Sequence, residues 1–432
     1  MTSPRRLIVA SLAVAFAARL AFGLLYWTHQ PLTHDEREYF ALARSLGRGA
    51  GFTYPPDEPA PGTGQRFGRA PGYPLFLAAI GVRDPVDAVP ARVKIAQSLV
   101  GTGGVWLIAL LASRAAGPRA GAVAAVIAAV YPPLVFIPAY AFSEVVFSTV
   151  ALLTAWVLTL TVDARERTQA MLPAAASGAL TAAAILIRPA LLFFVPLAIG
   201  WLVIREMRGE RPAEAGHYGG QVGASRQWMP AIVFAATLVI GIVPWTARNA
   251  RVYGRFILVA SEGGVTFWTG NHPLAVGDGD LAANPALKVA ELEFRRAHAD
   301  LTPEQLEPLY YRSALDWIRH DPGAWLTLEA RKLFYTIVPL GPSYKLHSAP
   351  YFAASAIPYV ALLGPAAAGA WMLRRRSRAP VALWLMALST VIAGLVFFPQ
   401  ERFRIPVIDP ALIVAAATLA ADGRKRMSSA EC

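Results

Sequence analysis

Leu7–Trp27 reads LIVASLAVAFAARLAFGLLYW, a run in which Arg19 is the only charge. A helix of about 20 apolar residues crosses roughly 30 Å of hydrocarbon. The run exceeds the roughly 7–15 residues of a signal-peptide core, and no small-residue cleavage pattern follows it, so it is expected to stay as an anchor. Arg5 and Arg6 precede it, which puts its start on the cytoplasmic side and the loop from Thr28 outside. Comparable blocks follow at about 93–112, 119–137, 143–162, 170–187, 190–204, 229–247, 355–373, 380–398 and 404–421. The expected fold is all-α, a polytopic membrane protein of about 10 transmembrane helices. Segment 74–82 is too short to span, and 324–340 carries Glu329, Arg331 and Lys332. Both are expected as outer-side juxtamembrane or re-entrant helices.

The whole composition agrees with that first run. Of 432 residues, 55% are hydrophobic and 16% charged, which excludes disorder and argues against a soluble enzyme. The net charge of +12 could suggest nucleic acid. The arginines instead cluster at 114–119, 163–169, 205–227, 374–378 and 424–426, the segments that alternation of the spans places inside. Charge therefore reads as topology, and no nucleic-acid partner is expected. Cys432 is the only cysteine, so no intramolecular disulfide forms. The seven histidines make no HExxH pattern, there is no Walker A sequence, and Gly101-Thr102-Gly103-Gly104 follows no strand. No internal repeat or transporter-like pseudo-symmetry is visible. The chain reads as one membrane-embedded domain, with about ten residues after the last block. Chemistry is expected in the outer segments 28–92 and 248–355.

The first outer segment contains Thr33-His34-Asp35-Glu36-Arg37-Glu38-Tyr39-Phe40-Ala41-Leu42-Ala43-Arg44-Ser45-Leu46. Tyr39, Leu42, Ala43 and Leu46 recur at helical spacing, predicting a short amphipathic helix at the membrane surface. Thr33 and Glu36 fit a capping box, and acidic groups suit a helix N-terminus. A carboxylate there, beside the run Arg66-Phe67-Gly68-Arg69-Ala70-Pro71-Gly72-Tyr73-Pro74, is also placed to meet a water-soluble acceptor and a lipid-anchored donor. That is a general-base position, with Asp35 the first candidate and Glu36 the second.

Other polar residues fall at the same depth. Glu144 opens its span after Ser143, as either a cap or a buried acid in need of a partner. Arg188, Arg248, Arg402 and Arg404 lie on the outer side, against the positive-inside trend. Each could snorkel to headgroups. Several from different spans suggest an anion site, and the anion available at that depth is a lipid phosphate. Arg19, within the first span, either pairs inside the bundle or serves function.

Taken in order, Asp35-Glu36 with Tyr39 and Ala43, Arg69-x-Pro71-Gly72-Tyr73-Pro74-Leu75-Phe76-Leu77, Tyr131-Pro132, Ser143-Glu144, Arg188-Pro189, Pro244-Trp245-x-x-Arg248-Asn249 and Glu401-Arg402-x-Arg404-x-Pro406 form a recognisable series. The chain resembles the bacterial type C membrane glycosyltransferases, in particular glycosyltransferase family 39, which includes dolichyl-phosphate-mannose protein mannosyltransferases and aminoarabinose transferases of lipid A. The resemblance implies an inverting transferase on the outer face of the cytoplasmic membrane. Its donor would be a polyprenyl-phosphate sugar and its acceptor a hydroxyl of a lipid, glycan or protein. A first-loop carboxylate would act as base, and Arg69, Arg188, Arg248, Arg402 and Arg404 would hold the donor phosphate. Acceptor recognition would rest on 248–355. No nucleotide is required, and a divalent metal at Asp35, Glu36 or His34 stays open as a cofactor. The competing readings are a secondary transporter, or a lipid or glycan flippase that would tolerate loss of Asp35.

Overall fold

The first apolar block folds as α1 (Pro4–Ala21) and continues through a π-helical turn to Tyr26. Ser3 caps it by accepting a hydrogen bond from the Arg6 N–H at 3.3 Å, and Pro4 sits in its first turn, where a missing N–H costs nothing. The computed structural model describes residues 3–54, 68–164, 166–208, 228–343, 348–374, 376 and 378–428, with side chains placed as far as Ala421. Arg66 and Phe67, most of the basic segment 205–227 and the side chains of Arg424–Arg426 lie outside that range.

Two short helices, α2 (His34–Gly47) and α3 (Gly72–Ala79), follow α1. The bundle then runs through α4 (Ala91–Ala116), α5 (Pro118–Val130), α6 (Pro132–Phe136), α7 (Glu144–Asp163), α8 (Arg167–Ile187), α9 (Phe194–Met207) and α10 (Met229–Tyr253). Next come α11 (Gly263–Gly270), α12 (Pro285–Ala297), α13 (Pro303–His320) and α14 (Pro322–Ile337). The chain returns to the bundle in α15 (Ala349–Leu373), α16 (Val381–Val396), the one-turn α17 (Glu401–Arg404) and α18 (Ile408–Ser428). No strand occurs among the described residues.

Each of the ten expected blocks is helical, but they differ in length. Seven are long and apolar enough to cross a membrane. The block at 119–137 bends by 63° between α5 and α6. Tyr131 precedes Pro132 and takes an extended conformation (φ −65°, ψ 112°), as a residue before proline is pushed to do. Val381–Val396 and Ile408–Ala421 are shorter apolar helices; sixteen residues rise only about 24 Å. Small residues let the helices approach closely. A Cβ on Gly369 of α15 would stand 1.8 Å from the Ala415 carbonyl of α18, and one on Gly178 of α8 would meet α10 at 2.1 Å.

The two expected juxtamembrane segments form α3 and α14. One expectation changes: α2 does not lie on a lipid surface. Phe40, Ala41, Leu42 and Ala43 are all at most 3% exposed. Tyr39, Phe40 and Ala43 belong to the main core with Tyr73 and Leu77, while Ala41 and Leu42 pack with Phe52 and Tyr54. An amphipathic pattern says that one face is apolar; it does not say whether lipid or protein covers it.

Helices α11 to α14 enclose a second apolar core around Trp268, Leu287, Leu306, Tyr310 and Leu328. Its tie to the bundle is partly aromatic, through Phe267 against Phe397, and partly polar. Lys332 of α14, 0% exposed, donates to the Asn271 Oδ1 (3.1 Å), Glu329 Oε1 (2.6 Å) and the Leu395 carbonyl at the end of α16 (2.8 Å). Asn271 donates in turn to the Val396 carbonyl at 2.9 Å. These bonds fix the smaller core over the same end of the bundle that carries α2 and α3.

Candidate active site

Asp35 and Glu38 lie three residues apart on one face of α2, so their carboxylates are neighbours. Glu36 points elsewhere. Its Oε2 accepts from the Thr33 N–H at 2.7 Å, the Thr33 hydroxyl accepts from the Glu36 N–H at 3.4 Å, and its Oε1 accepts from the Ala141 N–H at 2.8 Å. Both of its oxygens are thus engaged by backbone, which pins the start of α2 to the segment before α7 and leaves Asp35 as the carboxylate facing the cluster.

Arg69 reaches α2 from an extended segment held by two other parts of the chain. The Gly68 N–H donates to Ser261 Oγ at 2.7 Å, and the Ser261 N–H donates to the Gly68 carbonyl at 3.1 Å. A Cβ at Gly68 would fall 2.5 Å from the Tyr54 hydroxyl, so only glycine permits this approach. The Pro244-Trp245-x-x-Arg248-Asn249 motif holds the opposite side of the clamp. Trp245 Nε1 donates to the Val259 carbonyl (2.8 Å), Thr246 Oγ1 to that of Leu258 (2.8 Å) and Asn249 Nδ2 to that of Ile257 (3.0 Å). That loop presents Glu262, whose Oε2 is 3.8 Å from Arg69 Nε.

An alternating chain of charges results. Arg69 Nε donates to Glu38 Oε2 at 2.5 Å, and its Nη2 donates to Asp35 Oδ1 at 2.6 Å. Arg402 Nη2, from α17, donates to Asp35 Oδ2 at 2.6 Å. Arg402 Nε is 3.7 Å from Glu144 Oε1, and Arg188 Nη1 is 2.8 Å from the same oxygen. The Arg188 and Arg402 guanidiniums also stack over the rings of Phe403 and Phe142, at 4.4 and 4.8 Å from the centroids. Arg69, Arg188 and Arg402 keep 22, 17 and 28% of their side chains exposed, and Asp35 keeps 20%. The cluster is therefore open to a ligand as well as internally paired.

Asp35 and Glu38 titrate in opposite directions. Burial opposes the charge on Asp35, but Arg69 and Arg402 outweigh it and hold its carboxyl well below the usual carboxylate range. Glu38 is buried more deeply, shares Arg69, and faces the like charge of Glu262; it is pushed up to about 7. A raised folded-state value means stability that is fully present below the ordinary value of 4.5 and is lost as pH rises through 7. Replacing Glu38 by Gln should remove that loss, on the order of 2–3 kcal/mol over the interval. Thermal unfolding in detergent should show the Tm of Glu38→Gln gaining on the native protein between pH 4.5 and 8. An unchanged Tm difference would contradict the assignment.

The structure brings Asp35, Arg69, Arg188, Arg402 and Glu144 together; Arg248 and Arg404 are elsewhere. Arg248 donates to the Phe52 carbonyl at 2.9 Å and lies over the rings of Trp245, Phe52 and Tyr253. Arg404, 5% exposed, is 3.3 Å from Asp409 Oδ1 and donates to the Ser355 carbonyl and hydroxyl at 3.0 and 3.1 Å. Glu38 and Glu262 join the cluster without having been singled out from sequence. The three-residue spacing from Asp35 marks Glu38; nothing local marks Glu262, which lies far along the chain. For a divalent metal, no group of three or more His, Cys, Asp or Glu side chains able to hold an ion occurs among the described residues. Asp35 is held by two guanidiniums and Glu36 by backbone, so this arrangement does not fit the group.

A cavity of about 20 Å³ lies beside the cluster, lined by Tyr335 and Thr336 of α14, Gly394 of α16, and Gln400, Glu401 and Phe403. Phe403 is the ring beneath Arg188, so the cavity adjoins the arginine side of the site.

Comparison with known proteins agrees with this architecture. The family described as dolichyl-phosphate-mannose-protein mannosyltransferase matches residues 87–234, about a third of the chain. A search of curated proteins finds no match. Among solved structures, the oligosaccharyltransferase AglB from Archaeoglobus fulgidus, in complex with an inhibitory peptide and a dolichol-phosphate, superposes with a TM-score of 0.56 at 13% identity. The match covers 95% of this chain and 50% of that one, so this chain spans about half the length of AglB. The Archaeoglobus fulgidus oligosaccharyltransferase in complex with Zn and sulfate gives 0.55 at 14% identity, covering 98% of this chain and 49% of that one. ArnT from Cupriavidus metallidurans bound to undecaprenyl phosphate reaches 0.40 at 15% identity, covering 93% and 77%, too low a score to argue from. The chain has the fold of the type C membrane glycosyltransferases.

Proposed function

We propose that the protein transfers a sugar from a polyprenyl-phosphate donor to a hydroxyl acceptor, with inversion, at the Asp35–Arg69–Arg402 cluster. The observation that carries this reading is Asp35 held at 2.6 Å by each of two partly exposed guanidiniums. AglB, which shares the fold, has been crystallised with a dolichol-phosphate, and the matching family is described by its dolichyl-phosphate-mannose substrate.

The chemistry follows from these groups. The acceptor oxygen attacks the anomeric carbon, the bond from that carbon to the phosphate oxygen breaks, and the hydroxyl proton passes to Asp35. The lipid phosphate leaves as a monoester, which needs charge neutralisation more than a proton, and Arg69, Arg188 and Arg402 supply it. Asp35 alone is a weak base because its arginines hold it ionised. A phosphate on those arginines takes over part of their attraction, which returns the Asp35 carboxylate toward a more basic range once the donor is bound. Arg248 and Arg404 serve the scaffold of the site, through the Phe52 segment and the Ser355–Asp409 contacts.

The site faces outward across the cytoplasmic membrane in this reading, which the positive-inside trend of the arginine clusters supports. Asp84 and Arg119 are both exposed and fall on opposite sides of the membrane in this reading. In a Cys432→Ser background, an impermeant thiol reagent on intact cells should label Asp84→Cys and spare Arg119→Cys. The reverse pattern would invert the topology.

Activity is tested in vesicles that contain the purified protein, a radiolabelled polyprenyl-phosphate sugar and a membrane extract as acceptor source. A transferase releases polyprenyl phosphate in proportion to labelled product. Movement of intact donor across the vesicle without release would favour a flippase or transporter instead.

A further inference from the structure

Arg19 is 2% exposed within α1 and forms no ion pair among the described residues. Its Nη1 donates to the Ala15 carbonyl at 2.9 Å and its Nη2 to that of Ala128 at 3.5 Å, while Nε has no hydrogen-bond partner among the described residues. A charge so deep in a bundle needs a counter-charge or polar neighbours. Gly101 and Gly104 of α4 leave space beside it. A Cβ at Gly101 would stand 3.3 Å from Arg19 Nε, and one at Gly104 would stand 3.3 Å from Thr149 Oγ1. The space is a cavity of about 20 Å³ bordered by Arg19, Glu144, Ser148 and Thr149, large enough for about one water.

The polar atoms of this cavity are unequal. Ser148 already donates to the Pro406 carbonyl at 2.7 Å, and Thr149 to that of Val100 at 3.0 Å, so both hydroxyls can only accept. Glu144 Oε1, although 2.8 Å from Arg188, makes no aligned hydrogen bond. A guanidinium N–H without a hydrogen-bond partner among the described residues and a carboxylate oxygen that is ion-paired but accepts no aligned hydrogen bond therefore border the same water-sized space.

We infer that Arg19 is a third counter-charge of Glu144, buried beneath it and joined to it by a water that accepts from Nε and donates to Oε1. Arg19 is then a positioning residue. It holds Glu144 from within the bundle in the place where Glu144 meets Arg188 and Arg402, and so extends the charge chain of the site into the membrane. The functional half of this inference rests on the phosphate reading above; the pairing does not.

The experiment is a double-mutant cycle on the full chain in detergent, with Arg19→Met, Glu144→Gln and the double variant. Its readouts are Tm and affinity for a polyprenyl monophosphate. Arg19→Met should weaken that affinity about tenfold, within the range for residues coupled in one network, and by less than about twofold when Glu144 is already Gln. Arg19→Lys, which keeps the charge, should recover most of the loss. Equal effects of Arg19→Met in both backgrounds, on Tm as on affinity, would overturn the pairing. A coupled Tm with unchanged affinity would overturn the positioning role. Should Arg19→Met fail to fold, rescue by Glu144→Gln supports the pairing and failure of rescue overturns it. A native protein that does not bind the monophosphate refutes the phosphate reading and the positioning role, and the Tm cycle still decides the pairing.

Discussion

Asp35→Asn should slow sugar transfer by about 10² to 10⁴, the contribution of a positioned general base, while the protein still folds and binds donor. Asn keeps the shape of the side chain, and its oxygen can still accept from Arg69 or Arg402. Donor binding should hold or strengthen, because removing the carboxylate leaves two guanidiniums with less internal compensation and more attraction for a phosphate. That combination, a slower reaction with undiminished affinity, separates a base from a ligand-binding residue. Glu36→Gln is the control. Its amide can accept only one of the two backbone N–H bonds that the carboxylate now takes, so stability should fall by roughly 1–3 kcal/mol with the folded fraction still active. If Asp35→Asn turns over at the native rate, Asp35 is not the base; if Glu36→Gln is also active, the acid must be sought at Glu38, Glu144 or Glu262.

The second large effect concerns Arg402, among the described residues the only guanidinium close to both Asp35 and Glu144. Arg402→Ala should weaken binding of polyprenyl monophosphate by roughly 1.5–3 kcal/mol, the value of hydrogen bonds to a charged group in a partly dry site. Arg404→Ala offers a sharp contrast two residues away. It would strand Asp409, 0% exposed, without its arginine, and should cost about 3–5 kcal/mol of stability. Affinity per folded molecule should be unaffected. Isothermal titration paired with thermal unfolding reads both quantities. Equal loss of affinity in the two variants would mean that the phosphate lies between α17 and α18 rather than at Asp35.

Much of this arrangement is legible in the sequence, for reasons that differ by element. The ten helical blocks follow from hydrocarbon thickness, which any apolar run of the right length must match. The bend between α5 and α6 is written in Tyr131-Pro132-Pro133. Asp35, Arg69, Arg188 and Arg402 could be nominated because charges at a membrane boundary need a reason wherever they occur. The separation of Arg404 from Arg402 was harder to see. Asp409 falls inside the last apolar block, and treating that block as uniform conceals the carboxylate that claims Arg404. Arg248 was grouped with the phosphate ligands by its depth, whereas the aromatic rings of Phe52, Trp245 and Tyr253 occupy its faces. The same motif carries Asn249 and Trp245, and their bonds to the 257–259 carbonyls explain its spacing better than a ligand would. Glu262 could not be found locally at all, because only the Ser261–Gly68 clamp brings it to Arg69.

Inverting transfer at Asp35 is tested most directly by a single turnover of purified protein with pre-bound polyprenyl-phosphate sugar carrying ¹³C at the anomeric position, in the presence of acceptor. Nuclear magnetic resonance of the product then reports whether the carbon has moved and with which configuration. The expected result is transfer with inverted anomeric configuration in the native protein, and donor that remains bound and intact in Asp35→Asn over the same interval. Retained configuration, or transfer by Asp35→Asn at the native rate, would contradict it.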